Sequence, residues 1–406
     1  MQWFHRGRRV LDALELDARL LIVGSILGLL CANLFADAYH GLLHLMVAGV
    51  LLHFIVNDML MALFFATAAA EIREAVLPGR DRLAPHVGSG SLYGRKALVP
   101  IVATVGGMAG PMVVYYLIAL WMGKTDIYMQ GLAIPTATDI AFSAMVARAI
   151  FGKKHPVIPS LLAIAVADDF GGVMIIATFY PQGEMNLWWL VVSGVAVAAT
   201  LYCHYLERIG SLWVYAILGI LSWVGFFKAG IHPALGLIPV VFCMPHALSD
   251  FGWFDAAEDE ASDALSRMKH LLKKPVAITL GVFGFVNAGV PLGGFGEATI
   301  LVAAGLIIGK PLFIWLFGMG TVKLFGRWGL VLPDGVRGTD FLIMGSIAGI
   351  GFTVALFVSE AAYPPGAILD ASKFGALLSL GSIVPALVLS KLFRVQRIDV
   401  DTHIRL

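Results

Sequence analysis

Three aspartates and one lysine lie inside segments of the chain that are otherwise almost entirely apolar. Asp139 follows Ala-Ile-Pro-Thr-Ala-Thr, Asp168 and Asp169 are adjacent in Val-Ala-Asp-Asp-Phe-Gly, and Lys310 lies in Ile-Ile-Gly-Lys-Pro-Leu. Ionisable side chains are costly inside a membrane and mark functional sites there. Carboxylate oxygens bind hard cations and also bind protons. This set therefore predicts a buried site at which a cation such as Na⁺ or Li⁺ competes with protons.

The two adjacent aspartates must have different roles. Successive side chains on a helix point about 100° apart, so Asp168 and Asp169 cannot face the same point. We expect one carboxylate to bind the cation while the other pairs with Lys310. A purely structural ion pair is the alternative for Lys310. For Asp169 a structural role is disfavoured, because a buried carboxylate without a partner is hard to retain.

The composition indicates which elements hold these residues. Hydrophobic residues make up 59% of the 406-residue chain and charged residues 14%, well below the roughly 25% charged residues of soluble domains. Apolar runs long enough to cross a bilayer recur along the chain. We predict one all-α integral membrane domain over residues 1–406. Its twelve transmembrane spans are predicted near 17–38, 54–75, 97–122, 130–150, 157–180, 187–206, 211–228, 230–246, 275–290, 297–325, 339–360 and 366–393.

Basic residues set the predicted orientation of these spans. With the N-terminus in the cytoplasm, almost all connecting Lys and Arg residues fall on the cytoplasmic side, as the positive-inside rule requires. The sequence therefore predicts a multi-pass protein of the bacterial inner membrane with both termini in the cytoplasm. The two longest polar connections, about 76–96 and 248–274, are predicted to be cytoplasmic loops.

Two spans carry signs of an interrupted helix. Pro135 breaks the fourth span beside Thr138 and Asp139, because proline removes a helical hydrogen bond. Gly349 and Gly351 loosen the eleventh span at similar depth. Spans seven apart run in opposite directions, which suggests inverted repeats of spans 3–5 and 10–12 with broken helices at their interface. Asp139 would then offset helix N-terminal ends, and Lys310 would offset C-terminal ends.

Other function classes receive little support from the sequence. The net charge of +1 offers no footprint for nucleic acid. The three cysteines form no CxxC pair, and neither a cofactor nor a resident metal site is predicted. The lipid bilayer and the transported ions are the expected partners.

At the same residues the chain resembles the NhaA family of bacterial sodium/proton antiporters, whose inverted repeats are a known feature of that family. The order and spacing of the matching motifs hold over nearly the whole chain. They are Phe-Ile-Val-Asn-Asp-Met-Leu-Met-Ala-Leu-Phe-Phe (54–65), Ala-Ile-Pro-Thr-Ala-Thr-Asp-Ile-Ala-Phe (133–142), Ala-Asp-Asp-Phe-Gly (167–171), Ala-Gly-Ile-His-Pro (229–233), Val-Asn-Ala-Gly-Val (286–290), Ile-Gly-Lys-Pro-Leu (308–312) and Gly-Ile-Gly-Phe-Thr (349–353).

The resemblance implies an electrogenic antiporter that exchanges cytoplasmic sodium or lithium for external protons in pH and sodium homeostasis. Asp169 would be the main cation carboxylate, and Asp168 its partner, salt-bridged to Lys310 when sodium is absent. Thr138 and Asp139 would lie where the broken helices cross.

The resemblance also implies roles outside the centre of the membrane. Glu71 would lie at the cytoplasmic funnel and His232 would take part in the pH response, although a structural role is an alternative for this lone histidine. Asp58, on the same span as Glu71, is a further candidate for the funnel lining. A homodimer is implied as well, but the segment between spans 1 and 2 is shorter and more apolar than the β-hairpin through which family members dimerise.

Two positions depart from the family pattern. An acidic residue is usual where this chain reads Arg-Met-Lys-His (267–270), and after Glu71 the Arg73–Glu74 pair is shifted. Both positions belong to the cytoplasmic cluster that senses pH, so the pH activation of this chain is expected to differ.

Three rival functions receive less support from the sequence. An intramembrane aspartyl protease would need Gly-x-Gly-Asp and Tyr-Asp settings, which are missing, and the chain is not expected to be an enzyme. A sodium-coupled symporter would need a substrate-sized pocket lined by aromatic residues. A channel would lack competition between protons and sodium.

Overall fold

A computed structural model describes residues 2–47, 49–76, 98–153, 155–181, 185–205, 211–245, 264–328, 330–332 and 335–398. The predicted loop 76–96 lies almost wholly outside these residues, as does the 248–263 part of the second predicted loop. The remainder of that second loop, 264–274, is helical rather than a loop, because the helix of the ninth span begins at Ala264.

The described residues are almost all helical, as expected for a chain of long apolar runs. The α-helices of the first half are α1 (Gln2–Leu34), α2 (Ala36–Leu43), α3 (Leu52–Phe54), α4 (Met61–Val76), α5 (Leu98–Trp121), α6 (Thr125–Tyr128), α7 (Ile140–Phe151), α8 (Val157–Phe179) and α9 (Leu190–Tyr205). Those of the second half are α10 (Leu212–Ala229), α11 (Ile238–Cys243), α12 (Ala264–Asn287), α13 (Glu297–Ala304), α14 (Lys310–Phe325), α15 (Gly338–Ala348), α16 (Phe352–Ala362), α17 (Ala367–Leu378) and α18 (Ile383–Leu392).

Short helical pieces of other geometry join or extend these helices. Two are π-helical, Ile55–Leu60 before α4 and Gly305–Gly309 before α14. The 3₁₀ turns are Met129–Gly131, Ile134–Thr136, Leu187–Trp189, Pro233–Leu235, Gly326–Trp328 and Ser379–Ser382. A π segment inside an α-helix often marks a functional site.

One small sheet is present in the described part of the chain. Strands β1 (Met46–Val47) and β2 (Val50–Leu51) pair antiparallel between the first and second spans. All four strand residues are exposed. The short, apolar connection between the first and second spans therefore contains a minimal β-hairpin.

Fewer helices than the predicted twelve meet the length and apolarity expected of a membrane span. Among the described residues, eight helices are long and apolar enough to cross a bilayer, or nine if the bent pair α15 and α16 counts as one. Ala18–Leu34 and Pro233–Cys243 are shorter apolar helices, and α12 begins with a basic stretch. The all-α membrane architecture is confirmed, whereas the count of twelve is not.

Close glycine contacts hold the central helices together. A Cβ added to Gly309 would lie 2.9 Å from Pro111 Cα, and one added to Gly110 would lie 2.3 Å from the Phe313 side chain. Small residues allow such close approach of membrane helices. This contact packs α14 against α5 and fixes the position of Lys310, the first residue of α14.

The outer surface of the bundle suits lipid. Large apolar side chains are exposed along α5, α9, α10 and α14. Five tryptophans of the described residues, at or near helix ends, are also exposed: Trp121, Trp188, Trp189, Trp213 and Trp328. Tryptophan is enriched where membrane meets water. The chain is therefore a multi-pass membrane protein.

Candidate functional site

Two interrupted helices cross at the middle of the bundle. The fourth span breaks between the turn Ile134–Thr136 and α7, where Pro135 has non-helical dihedrals. The eleventh span breaks between α15 and α16 with a bend of 47°. The two breaks touch, since the Asp139 N–H donates to the Ile350 carbonyl at 2.7 Å. The predicted pair of crossing, interrupted helices is confirmed.

Asp139 lies between the N-terminal ends of two half-helices. Its side chain caps α7 by accepting from the Phe142 N–H at 3.0 Å. It also accepts from the Thr353 N–H at 3.1 Å, in the first turn of α16, and from the Thr353 hydroxyl. Helix N-termini carry positive partial charge. The carboxylate is thus hydrogen-bonded and electrostatically compensated, although it is buried.

The Lys310 side chain lies at a C-terminal helix end, where backbone carbonyls carry negative partial charge. Its ammonium donates to the Thr136 carbonyl at 2.6 Å, at the end of the first half of the broken fourth span. It also pairs with Asp168 Oδ2 at 2.9 Å, and both side chains are wholly buried. The lysine therefore offsets a carbonyl end and one carboxylate at the same time.

Thr138 links this ion pair to the crossing. Its hydroxyl lies 2.9 Å from Asp168 Oδ2 and 3.0 Å from the Ala348 carbonyl. A hydroxyl has one proton to donate, so the two acceptors share it. The hydroxyl is placed to change partner if the Asp168 carboxylate is taken by a cation.

Asp169 differs from Asp139 and Asp168, because the described residues give its carboxylate neither a hydrogen bond nor an ion pair. It is 4% exposed, and its Oδ1 has no hydrogen-bond partner among the described residues. It lines a cavity of about 60 Å³ together with Thr138, Asp139, Thr353 and Glu71. At roughly 30 Å³ for each water molecule, this cavity holds about two waters or a small ion.

The two glycines of the eleventh span serve close approach rather than unusual dihedral angles. Gly349 and Gly351 have φ of −66° and −95°, which other residues also adopt. A Cβ on Gly349 would lie 2.5 Å from the Leu306 carbonyl oxygen, and one on Gly351 would lie 3.1 Å from the Ala137 carbonyl oxygen. Side chains at these positions would separate the crossing chains.

The other predicted site residues divide between two cavities. Glu71 lines the cavity of Asp169. Asp58 does not line it, since it lies thirteen positions earlier, or roughly 20 Å along the helix at 1.5 Å per residue. Asp58 and His232 instead line a second cavity, where His232 Nδ1 lies 3.5 Å from Asp58 Oδ1.

The structure adds residues that the sequence reasoning did not select. Thr353 contacts Asp139, and Glu360 forms an ion pair with Lys373. Glu360 ends a predicted span, so the rule that intramembrane ionisable residues are candidates could have found it. Thr353 carries no such signal, because threonine is common in membrane helices.

An all-helical membrane bundle whose broken helices cross beside buried carboxylates has the architecture of a secondary transporter. Comparison with known sequences gives the family. Residues 8–391 match the sequence model of the family described as "Na+/H+ antiporter 1", and the chain belongs to this family.

Individual relatives agree with the family assignment over nearly their whole length. A protein of Jannaschia sp. (strain CCS1) named Na(+)/H(+) antiporter NhaA is 45% identical, covering 94% of this chain and 97% of the relative. Na(+)/H(+) antiporter NhaA 1 of Pelobacter propionicus is 42% identical over 93% and 96% of the two chains. The NhaA protein of Geobacter sulfurreducens is 40% identical over 93% and 96%.

Proposed function

We propose that this chain is an electrogenic antiporter that exchanges cytoplasmic Na⁺ or Li⁺ for external protons at Asp169 and Asp168. The observation that carries the proposal is the unpartnered Oδ1 of Asp169 in a small cavity beside the Asp168–Lys310 pair. A buried carboxylate without compensation is unstable unless it is neutralised. A proton or a monovalent cation can each supply that neutralisation, and they exclude one another.

Cation binding would rearrange the ion pair. A Na⁺ ion needs several hard oxygen ligands, and we take Asp168, which is adjacent to Asp169 in the chain and held by Lys310 and Thr138, as the second carboxylate. When the cation takes Asp168, the Lys310 ammonium loses its partner inside the membrane. An unpaired buried ammonium is strongly unfavourable, so Lys310 releases its proton.

The return step would carry protons inward. With the cation gone, Asp169 binds a proton, and Lys310 recovers a proton and its bond to Asp168. More protons than cations then move in each cycle, so the exchange transfers net charge. Asp139 is proposed to keep its charge throughout, since two helix N-termini and Thr353 already compensate it.

The size of the cavity favours ion exchange over symport with an organic solute. Pockets for small molecules usually measure about 300–1,000 Å³, and the cavity at Asp169 measures about 60 Å³. Glu71 in the same lining is proposed to attract cations from the cytoplasm. The altered basic stretch at 267–270 is proposed to change the pH at which exchange begins.

We also propose an inner-membrane location with both termini in the cytoplasm, on the distribution of basic residues. A homodimer is proposed from the family resemblance. The exposed apolar residues of the hairpin, Met46, Val47, Val50 and Leu51, are suitable for a contact with a second copy. Cross-linking through a cysteine introduced at Val50 tests this, and a purely monomeric outcome in lipid would contradict it.

Exchange in proteoliposomes tests the main proposal. Purified protein is reconstituted with an internal pH dye, a proton gradient is imposed, and Na⁺, Li⁺ or K⁺ is added outside from mildly acidic to alkaline pH. We expect Na⁺ and Li⁺, but not K⁺, to dissipate the gradient, and a membrane potential to change the rate. No response at any pH from folded protein would overturn antiport, and dependence on an organic solute would favour symport.

A further inference from the structure

A second cavity lies away from the crossing, near the start of the second span. It measures about 290 Å³, and its polar lining comes from Asp58, Asn57, His53, His232 and Glu360. At roughly 30 Å³ for each water, this volume accommodates an ion with a hydration shell. By the predicted orientation, it lies toward the outer side of the membrane, opposite the Glu71 end of the same span.

Asp58 offers a free carboxylate to this cavity. The residue is 6% exposed, and Oδ1 has no hydrogen-bond partner within the described parts of the chain. Its backbone carbonyl is held by the Trp223 indole N–H at 3.1 Å, which fixes the position of the residue. Asp58 also lies in the π segment Ile55–Leu60, and the other π segment ends directly before Lys310.

The charges around Asp58 suit a monovalent cation. Glu360 is paired with Lys373, and His53 Nε2 lies 3.3 Å from Glu360. With both imidazoles neutral, Asp58, Glu360 and Lys373 together carry a single negative charge. His232 Nδ1 lies 3.5 Å from Asp58 Oδ1, and neither atom has a hydrogen-bond partner among the described residues. With the imidazole neutral, Asp58 Oδ1 is available to an ion.

A thin aromatic layer separates this cavity from the one at Asp169. Phe357 lines the outer cavity and is fully buried, with its ring 5.0 Å from the Phe65 ring and 4.7 Å from the His232 ring. Val354, one turn earlier on α16, lines the cavity of Asp169. The two cavities are therefore lined by successive turns of α16.

We propose that this cavity is a second, outer cation site, in which Asp58 is the main ligand for a hydrated Na⁺ or Li⁺ and Glu360 a weaker one. It holds the ion between the external solution and the central aspartates, and Phe357 closes the path between the two sites. This inference rests on the proposed antiport function and extends it to the outer half of the ion path.

The test is the apparent KM for Na⁺ at each face, measured in everted and right-side-out membrane vesicles at an alkaline pH where imidazoles are neutral. Asp58→Asn removes the ligand charge with little change of shape. We expect it to raise the apparent KM at the outer face about tenfold, while the KM at the inner face stays unchanged. Asp58→Glu, which keeps the carboxylate, is expected to retain most of the outer-face affinity.

Glu297→Gln is the matched control, because Glu297 is an exposed carboxylate paired with Lys124 and does not line the cavity. It is expected to change neither KM. An unchanged outer-face KM in folded Asp58→Asn protein would overturn the outer site. An equal rise at both faces would also overturn it, because it would mark a purely structural role for Asp58.

Direct binding separates this inference from the antiport proposal. ⁷Li line broadening is measured with purified Asp169→Asn protein, in which the central site lacks its main carboxylate. We expect residual broadening that disappears in the Asp58→Asn/Asp169→Asn double variant. Equal broadening by both proteins, with wild-type exchange intact, would overturn the outer site alone, whereas absent wild-type exchange would overturn the antiport proposal.

Discussion

The Asp139 carboxylate accepts hydrogen bonds from both the backbone N–H and the hydroxyl of Thr353, a residue 214 positions later in the chain. This contact joins the two broken helices, since Asp139 is the N-cap residue of α7 and Thr353 lies in the first turn of α16. One buried charge thus stabilises two helix N-termini that belong to distant parts of the sequence. The integrity of the crossing depends on it.

Replacing Asp139 by Ala should therefore destabilise the protein. The variant leaves the N–H groups of Phe142 and Thr353 buried without their acceptor, and each unsatisfied group costs about 1–3 kcal/mol. Thermal unfolding in detergent should show a clearly lower Tm. Thr353→Val removes only the hydroxyl donor, and its Tm should fall less. Equal Tm values for wild type and Asp139→Ala would contradict the capping role.

Asp169→Asn should abolish exchange while leaving the fold intact. The amide has nearly the shape of the carboxylate but neither binds a proton nor supplies charge to a cation. Sodium-driven dye response in proteoliposomes is the measurement, with Tm as the check on folding. Asp126→Asn changes an exposed aspartate and should leave exchange normal. Full exchange activity of Asp169→Asn would show that Asp169 is not a cation ligand.

Asp168→Asn should strongly reduce exchange for a related reason. The substitution removes the partner of Lys310 and one of the two proposed cation ligands. We expect a higher apparent KM for Na⁺ together with a lower maximal rate. An effect on Tm alone, with normal transport kinetics, would assign Asp168 a structural role only.

Lys310→Ala should lower the stability of the protein more than a Lys→Ala substitution at an exposed position does. It leaves Asp168 buried without its counter-charge, and breaking a buried pair costs about 3–5 kcal/mol. Lys124→Ala breaks an exposed pair with Glu297 and should cost far less stability, because solvent screens the two charges. Denaturation of the two variants in the same lipid or detergent compares them. Combining Lys310→Ala with Asp168→Asn should recover part of the loss, because the uncompensated charge is gone.

Gly349→Ala should disturb the crossing by simple overlap. The added Cβ would lie 2.5 Å from the Leu306 carbonyl oxygen, and overpacking of this kind costs about 1–3 kcal/mol. Both Tm and exchange rate should fall. Gly320→Ala is the control, because a Cβ there meets no atom within 4 Å. If the two alanine variants behave alike, the close approach of the chains at Gly349 is unimportant.

The sequence by itself determined the membrane class and the set of candidate charges. Both follow from local rules: an apolar run of sufficient length crosses a bilayer, and a charge within such a run is too costly to be incidental. The positions of the breaks were also local, because Pro135 interrupts a helix wherever it occurs. The family motifs around Asp169 and Lys310 could also be recognised from the sequence, because each is a short contiguous stretch.

The tertiary structure decided which of these groups meet. Helix geometry requires Asp168 and Asp169 to point apart, but the 2.9 Å contact of Asp168 with Lys310 depends on how α14 and α8 each pack against α5. Asp58 and Glu71 share one span, yet other helices enclose them in separate cavities. Distances along a single helix are fixed by local geometry, whereas the walls of a cavity come from segments far apart in the chain, and only their packing brings them together.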